Sequence, residues 1–262
     1  MIRLNFLQYN PLDLNIDKNY SLDSLSTNFE FENLCKEFLN YFSFKKLKTF
    51  SFSKEGFLGL IFELNSKIAV SLGESQALID ACKMYEKLGF EITYLDLNKD
   101  GTVCLDKLKN EDFDYIFISS YVMDTFLKTD LNSLKTLTNA KIISNASADF
   151  CKYSDIIYFD NYKLCGYFLS GVLLFNDGFE QLNIGFTDSL AIYSCFKSYK
   201  KIKKDIKIKE VFIKKLEDKF KDNLYYFVNN KNTLNNSFHI ALKGLNAREI
   251  IRTLAFANIF LS

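Results

Sequence analysis

The sequence has no tryptophan, one proline and one histidine, His239. A single histidine leaves a Ser-His-Asp triad only one base to use, and His239 sits in the apolar run FHIAL, where a strand residue is the simpler reading. It also means that a zinc site would have to be built almost wholly from cysteine. The six cysteines, Cys35, Cys82, Cys104, Cys151, Cys165 and Cys195, form no Cys-x-x-Cys pair, so they read as buried thiols and no metal site is expected. Charge of one sign is missing too. Lys+Arg is 33 and Asp+Glu is 32, so there is no basic surplus to displace counterions, and no nucleic-acid partner is expected. No run approaches the roughly 18 apolar residues of a membrane span, so no membrane partner is expected. The opening MIRLNFLQYN has one basic residue and no apolar core with a cleavage site, which argues against secretion and for a cytoplasmic protein. No Gly-rich phosphate loop of the nucleotide-binding kinds is present.

What is there is an ordinary globular composition, 48% hydrophobic and 25% charged over 262 residues, enough for one large domain and a small appendage. One proline beside 27 Phe and 15 Tyr reflects codon bias, so the aromatic count says little about function. Residues 65–175 alternate strand and helix. Strands are expected at 67–72, 90–97, 115–119, 142–144, 156–159 and 172–175. A helix is expected over 75–88, stopped by Gly89, then a turn at 98–101 and a short helical step at 105–108. Asp130 is placed to cap a helix carrying Leu131, Leu134 and Leu137. Gly166 and Gly171 suit a turn between the last two strands. This alternation predicts an α/β fold, a mainly parallel sheet covered by helices. In such sheets ligands bind beyond the carboxyl ends of the strands, which singles out Ser75, residues 121–125, Asn145 and residues 160–163.

From 191 to 225 a long Lys-rich helical stretch is expected, then strands at 225–230 and 237–242 and a helix at 247–257. The division is a large domain over 1–190, then a helical connection and partial α+β small domain over 191–262. The Lys cluster at 200–209, interleaved with Asp205 and Glu210, reads as a solvated helix face.

Residues 74–110, ESQALIDACKMYEKLGFEITYLDLNKDGTVCLDKLKN, resemble the matching stretch of the class V aminotransferases, most closely the cysteine desulfurases. Residues 2–11, with the only proline, look like that family's opening "Y-L-D-N-A-A-T-T-P". SDIIYFDNYK at 154–163 resembles its "D-x-x-x-F-S-x-H-K" element. GFTD at 185–188 sits where the family has a "G-T-x-N" turn, and 235–261 resembles its small-domain strand and helix. The resemblance implies the pyridoxal-phosphate type I fold with a truncated small domain. It also implies pyridoxal 5'-phosphate as cofactor, with Lys163 at the catalytic, aldimine-forming position, an amino-acid substrate and a homodimer.

The departures are informative. Asn145 stands where the family has an Asp against the pyridine nitrogen; an amide can bond that nitrogen but cannot hold a charge on it, so the electron sink weakens. Ser75 replaces the stacking His, and Tyr162 the His beside the lysine. Asp160 replaces a phosphate-binding Ser. Two like charges at about 4 Å cost roughly 4 kcal/mol at an effective dielectric of 20, so Asp160 opposes a phosphate. The family's "S-G-A-T" turn becomes Lys54-Glu55-Gly56-Phe57, which removes the threonine hydroxyl and adds an acid, while Lys54 offsets part of the Asp160 repulsion. Thr187 suits either a phosphate reached across a dimer interface or a turn cap. Asp124 and Thr125 lie near the family's Asn that contacts the ring hydroxyl. Cys165 reads as a buried small residue. The sequence stops where the family continues into its cysteine-bearing loop, so persulfide formation is not expected. Two functions follow: a degenerate cysteine-desulfurase-like protein, or a cofactor-free pseudoenzyme scaffold pairing with itself or a complete paralogue.

Overall fold

The computed structural model describes residues 2–3, 29–166, 170–176, 187–202, 206–235 and 237–260. The elements are β1 (Ile2–Arg3), α1 (Phe29–Phe42), β2 (Lys46–Ser51), α2 (Lys54–Leu64), β3 (Ile68–Ser71), α3 (Gln76–Lys87), β4 (Thr93–Leu95), β5 (Tyr115–Phe117), α4 (Leu131–Leu137), β6 (Lys141–Asn145), β7 (Ile156–Phe159), α5 (Asn161–Cys165), β8 (Ser170–Phe175), α6 (Ser189–Tyr199), α7 (Ile206–Phe220), β9 (Leu224–Tyr226), β10 (Ile240–Leu242), α8 (Ala247–Phe256) and β11 (Ile259–Phe260).

The central sheet has seven strands in the order β2-β8-β7-β6-β5-β3-β4. Strands β4, β3, β5, β6 and β7 pair in parallel, and β8 runs antiparallel to both β7 and β2. The α/β, mainly parallel sheet expected from the alternation is therefore present. Strands β3, β6 and β7 are buried along their length or nearly so, as strands covered on both faces must be. In β7 the alternation sends Ile156 and Tyr158 into one core with Phe50, Phe57 and Leu78, and Ile157 and Phe159 into the other with Phe38, Phe42 and Phe196.

Local chemistry fixes the elements that end near the carboxyl edge. Ser53 caps α2 by accepting from the Gly56 N–H at 3.3 Å. Asp130 caps α4 as expected. Asp160 caps the short α5 by accepting from the Lys163 N–H at 3.1 Å, and Gly166, at φ +81°, ends it.

Several expectations change. Gly166 occupies a left-handed turn, but Gly171 lies inside β8. A Cβ there would come within 2.6 Å of the Phe50 ring and 2.9 Å of the Phe159 carbonyl oxygen, so its role is close packing. The strand expected over 90–97 is only Thr93–Leu95; Gly89 (φ +94°) precedes it, and beyond it Leu97 makes an isolated antiparallel bridge to Val103 across the turn at Gly101. The single Lys-rich helix is two: α6, whose Ile192, Cys195 and Phe196 pack into the core with α1, and α7. The strand expected over 225–230 closes after Tyr226, in antiparallel register with β10. The solvated-face reading also fails at Lys209. Its ammonium turns inward and donates to Thr233 Oγ1 at 2.6 Å and to the Asn230 and Leu234 carbonyls at 2.8 and 2.9 Å. That pins α7 to the 230–234 segment, which in turn bonds the 126–128 segment through Lys128 N–H to Asn232 O and Leu234 N–H to Phe126 O. Strand β1 pairs in parallel with β11, far along the chain.

Candidate active site

Because β3, β5, β6 and β7 are adjacent and parallel, the segments that follow them converge on one edge. They bring Glu74 and Ser75, residues 119–124, Asn145 to Ser147, and Asp160 to Lys163 together. A ring of contacts joins them. Asn145 Oδ1 accepts from the Ser147 N–H at 2.9 Å and the Tyr121 hydroxyl at 3.4 Å. Ser147 Oγ accepts from the Asp160 N–H at 2.7 Å. Asp160 holds the Lys163 N–H, and Lys163 Nζ reaches Met123 Sδ at 3.0 Å. Met123 packs with Tyr121, whose ring stacks on Phe126 with centroids 5.8 Å apart. Lys163 and Asn145 thus belong to one cluster at the carboxyl edge.

A second hydroxyl system lies against it. The Tyr158 hydroxyl donates to Glu74 Oε2 at 2.8 Å, and both residues are buried. Ser119 hydrogen-bonds Glu74 and also accepts from the Asn145 N–H at 2.9 Å. The electrostatics follow from burial. Desolvation raises the Glu74 and Asp160 carboxyls above the usual range, against the opposing pull of their hydrogen bonds and of Lys163. Desolvation lowers the Lys163 ammonium below its ordinary value, although Asp160, Asp124 and Glu74 all favour its charge. An amine shifted that way presents more of its neutral, nucleophilic form.

The structure brings four of the six sequence-derived site residues into the cluster: Lys163, Asn145, Asp160 and, beside Glu74, Ser75. Tyr162 is 44% exposed at the start of α5. Thr187 is exposed before the α6 cap Asp188, and no described contact links it to the cluster. Four members were not singled out from sequence: Glu74, Ser119, Ser147 and Tyr158. Tyr158 did carry a signal, as the one hydroxyl in the buried strand IIYF.

Three buried polar atoms of these segments have no hydrogen-bond partner: Asn145 Nδ2, Ser75 Oγ and Asn161 Oδ1, whose own amide nitrogen donates to the Ala191 carbonyl at 2.9 Å. The Asn145 assignment is fixed, since its other atom must be the oxygen that accepts from Ser147. An orphaned buried donor costs about 1–3 kcal/mol, so an acceptor presented to Nδ2 would be stabilised. A pyridine nitrogen has that chemistry, and to this extent the residues fit the ring of pyridoxal phosphate. They do not fit its phosphate. Where the resemblance puts a phosphate-binding Ser stands the buried carboxyl of Asp160, and Lys54 at the start of α2 is engaged with Glu55 at 3.4 Å. The group as a whole is therefore not matched. Among the described residues no cluster of His, Cys, Asp and Glu could hold a metal ion, and no helix is long and apolar enough to cross a membrane.

Solved structures share this architecture. A NifS-like protein superposes with a TM-score of 0.78 over 99% of this chain and 86% of its own, at 12% identity. The NifS-like protein of Rickettsia africae gives 0.76 over 100% and 87%, at 16% identity. The phosphoserine aminotransferase of Cytophaga hutchinsonii gives 0.73 over 99% and 88%, at 12% identity. The chain has the type I fold of the pyridoxal-phosphate-dependent transferases. Within that fold, the structures it resembles include NifS-like proteins and a phosphoserine aminotransferase. In sequence, the cysteine desulfurase IscS of Dictyoglomus turgidum is 44% identical over 54 residues, 20% of this chain and 14% of that one. The IscS of Histophilus somni is 46% identical over 37 residues, 14% and 9% of the two chains. The matched stretches thus span a small part of these relatives' length. No family model matches the chain.

Proposed function

We propose that this is a degenerate class V aminotransferase or cysteine-desulfurase-like protein. It keeps a carbonyl-reactive lysine, Lys163, and has lost the anchorage for a cofactor phosphate. The observation that carries the reading is the placement of Lys163. Its ammonium is desolvated at the carboxyl edge of the sheet, in the same ring of contacts as Asn145 and its unpaired Nδ2. Pyridoxal phosphate, when bound in this fold, supplies an electron-accepting ring. In this chain Asn145 would donate to the ring nitrogen, Ser75 would lie over the ring, and Asp160 would oppose the phosphate. Thr187 and Tyr162 would act only from the periphery or from a second copy in a homodimer.

The purified chain, incubated with millimolar pyridoxal phosphate and separately with pyridoxal, tests this by its absorption spectrum. An imine band with either aldehyde that is missing in Lys163→Ala is the expected result. No band with either aldehyde contradicts the reading.

One observation favours a second reading, the cofactor-free scaffold. Glu74, Tyr158, Ser119, Ser147 and Asp160 satisfy one another, so most of the polar edge is internally bonded. Restoring the family's residue types with Asn145→Asp and Asp160→Ser separates the two. Tight cofactor binding created from none marks a scaffold that pairs with itself or a paralogue. Binding already present and little changed marks a competent native site.

A further inference from the structure

We infer that the Lys163 site takes a small carbonyl compound that carries no phosphate, neutral or cationic, and that it discriminates against phosphorylated aldehydes. The inference rests on the carbonyl-reactive reading of Lys163 and names the chemical class of its ligand.

The charge arrangement is the first support. Three carboxyls act on the one ammonium: Asp160, Asp124 and Glu74. Asp160 and Glu74 are only 4% and 6% exposed, and among the described residues the cation that acts on each of them is Lys163. The second support is independent of charge. Asn145, fully buried, leaves its Nδ2 donor unpaired, and Ser75 Oγ is unpaired beside Glu74. Those atoms suit a ligand with a hydrogen-bond acceptor on a ring or short chain. The Tyr121–Phe126 stack packs with Met123, whose sulfur meets Lys163 Nζ at 3.0 Å.

The chemistry is consistent with that arrangement. The neutral amine of Lys163 adds its lone pair to the carbonyl carbon. The resulting carbinolamine takes up a proton and loses its oxygen as water, so the C=O bond is replaced by C=N and no electron donor or acceptor is needed. The proton that the ammonium gives up to free its lone pair is matched by the one taken up when water leaves. The protonated imine then carries the same single positive charge beside the three carboxyls that the resting ammonium carried. A phosphate dianion brought to the same edge would add two negative charges beside the buried carboxyls of Asp160 and Glu74.

The test is reductive trapping. The protein is incubated with equal concentrations of pyridoxal or pyridoxal phosphate and reduced with borohydride. Labelling of the Lys163 peptide is then measured by mass spectrometry and normalised to exposed Lys83 in the same digest. The expected result is at least tenfold greater normalised labelling of Lys163 by pyridoxal, with Asp160→Ser narrowing that preference at least threefold. Equal or greater labelling by pyridoxal phosphate overturns the inference while leaving Lys163 reactive. No labelling of Lys163 by either aldehyde overturns the underlying reading instead. If Asp160→Ser does not fold, Asp160→Asn replaces it, and the wild-type ratio decides the matter by itself.

Discussion

The middle of the central sheet and its carboxyl edge are built from the same strands and obey opposite rules. In the middle, β7 gives Ile156, Ile157 and Phe159 to two dry cores, packed by Phe38, Phe57 and Phe196 at nearly zero exposure. At the edge, the same burial falls on Glu74, Asn145, Ser147 and Asp160. Apolar burial stabilises by about 25 cal/mol per Å², whereas each buried polar group must find a partner or cost free energy. Most of the edge groups do find partners; Asn145 Nδ2, Ser75 Oγ and Asn161 Oδ1 do not. The difference teaches that the edge is not the cheapest way to finish this sheet. Groups with perturbed ionisation gather at this edge, and the proposed function rests on them.

The contrast can be broken from the dry side first. Phe57→Ala removes a fully buried ring and is expected to cost about 3–5 kcal/mol in urea unfolding. Gly171→Ala drives a methyl against Phe50 and the Phe159 carbonyl, and should cost about 1–3 kcal/mol in the same assay. Lys209→Met removes the inward ammonium from Thr233 and two carbonyls. It should cost about 1–3 kcal/mol and speed hydrogen exchange at 230–234.

The polar edge is sharpened by Glu74→Gln. Its carboxyl is raised in the folded state, so its stability contribution is complete below the ordinary value of 4.5 and is lost as pH climbs through the higher folded value. Gln has no such loss and can still accept from Tyr158. The difference in Tm, variant minus wild type, should therefore grow as pH rises from 4.5; a flat or falling difference contradicts the raised carboxyl. At the small end, Tyr162→Ala and Thr187→Ala should stay within about 0.5 kcal/mol of wild type in the isolated chain.

How much of this was legible in the sequence depended on whether a signal was local. Strand β7 is read to the residue and the α4 cap is correct, because periodicity and an N-terminal Asp are local features. Positions beyond strand ends were also legible, since a parallel sheet puts them on one edge whatever the loops do. The Tyr158–Glu74 bond was not, because its partners are 84 residues apart. Lys209 was hidden by its neighbours: one lysine in a charged run gives no sign of which face turns inward. Gly171 was read as a turn because glycine suits both a turn and a close approach, and only the Phe50 ring across the sheet tells them apart. Residues 29–64 were read for a motif and not for helices, although Phe31, Leu34, Phe38 and Phe42 have the spacing of the buried face of α1.

Burial at the carboxyl edge makes the amine of Lys163 neutral more readily than an ordinary lysine. Competitive labelling of that amine across a pH series, read peptide by peptide, measures this without any cofactor. A midpoint below the ordinary 10.5 is predicted. A midpoint at or above that value would show an ammonium held charged by its three carboxyls, and would contradict the account.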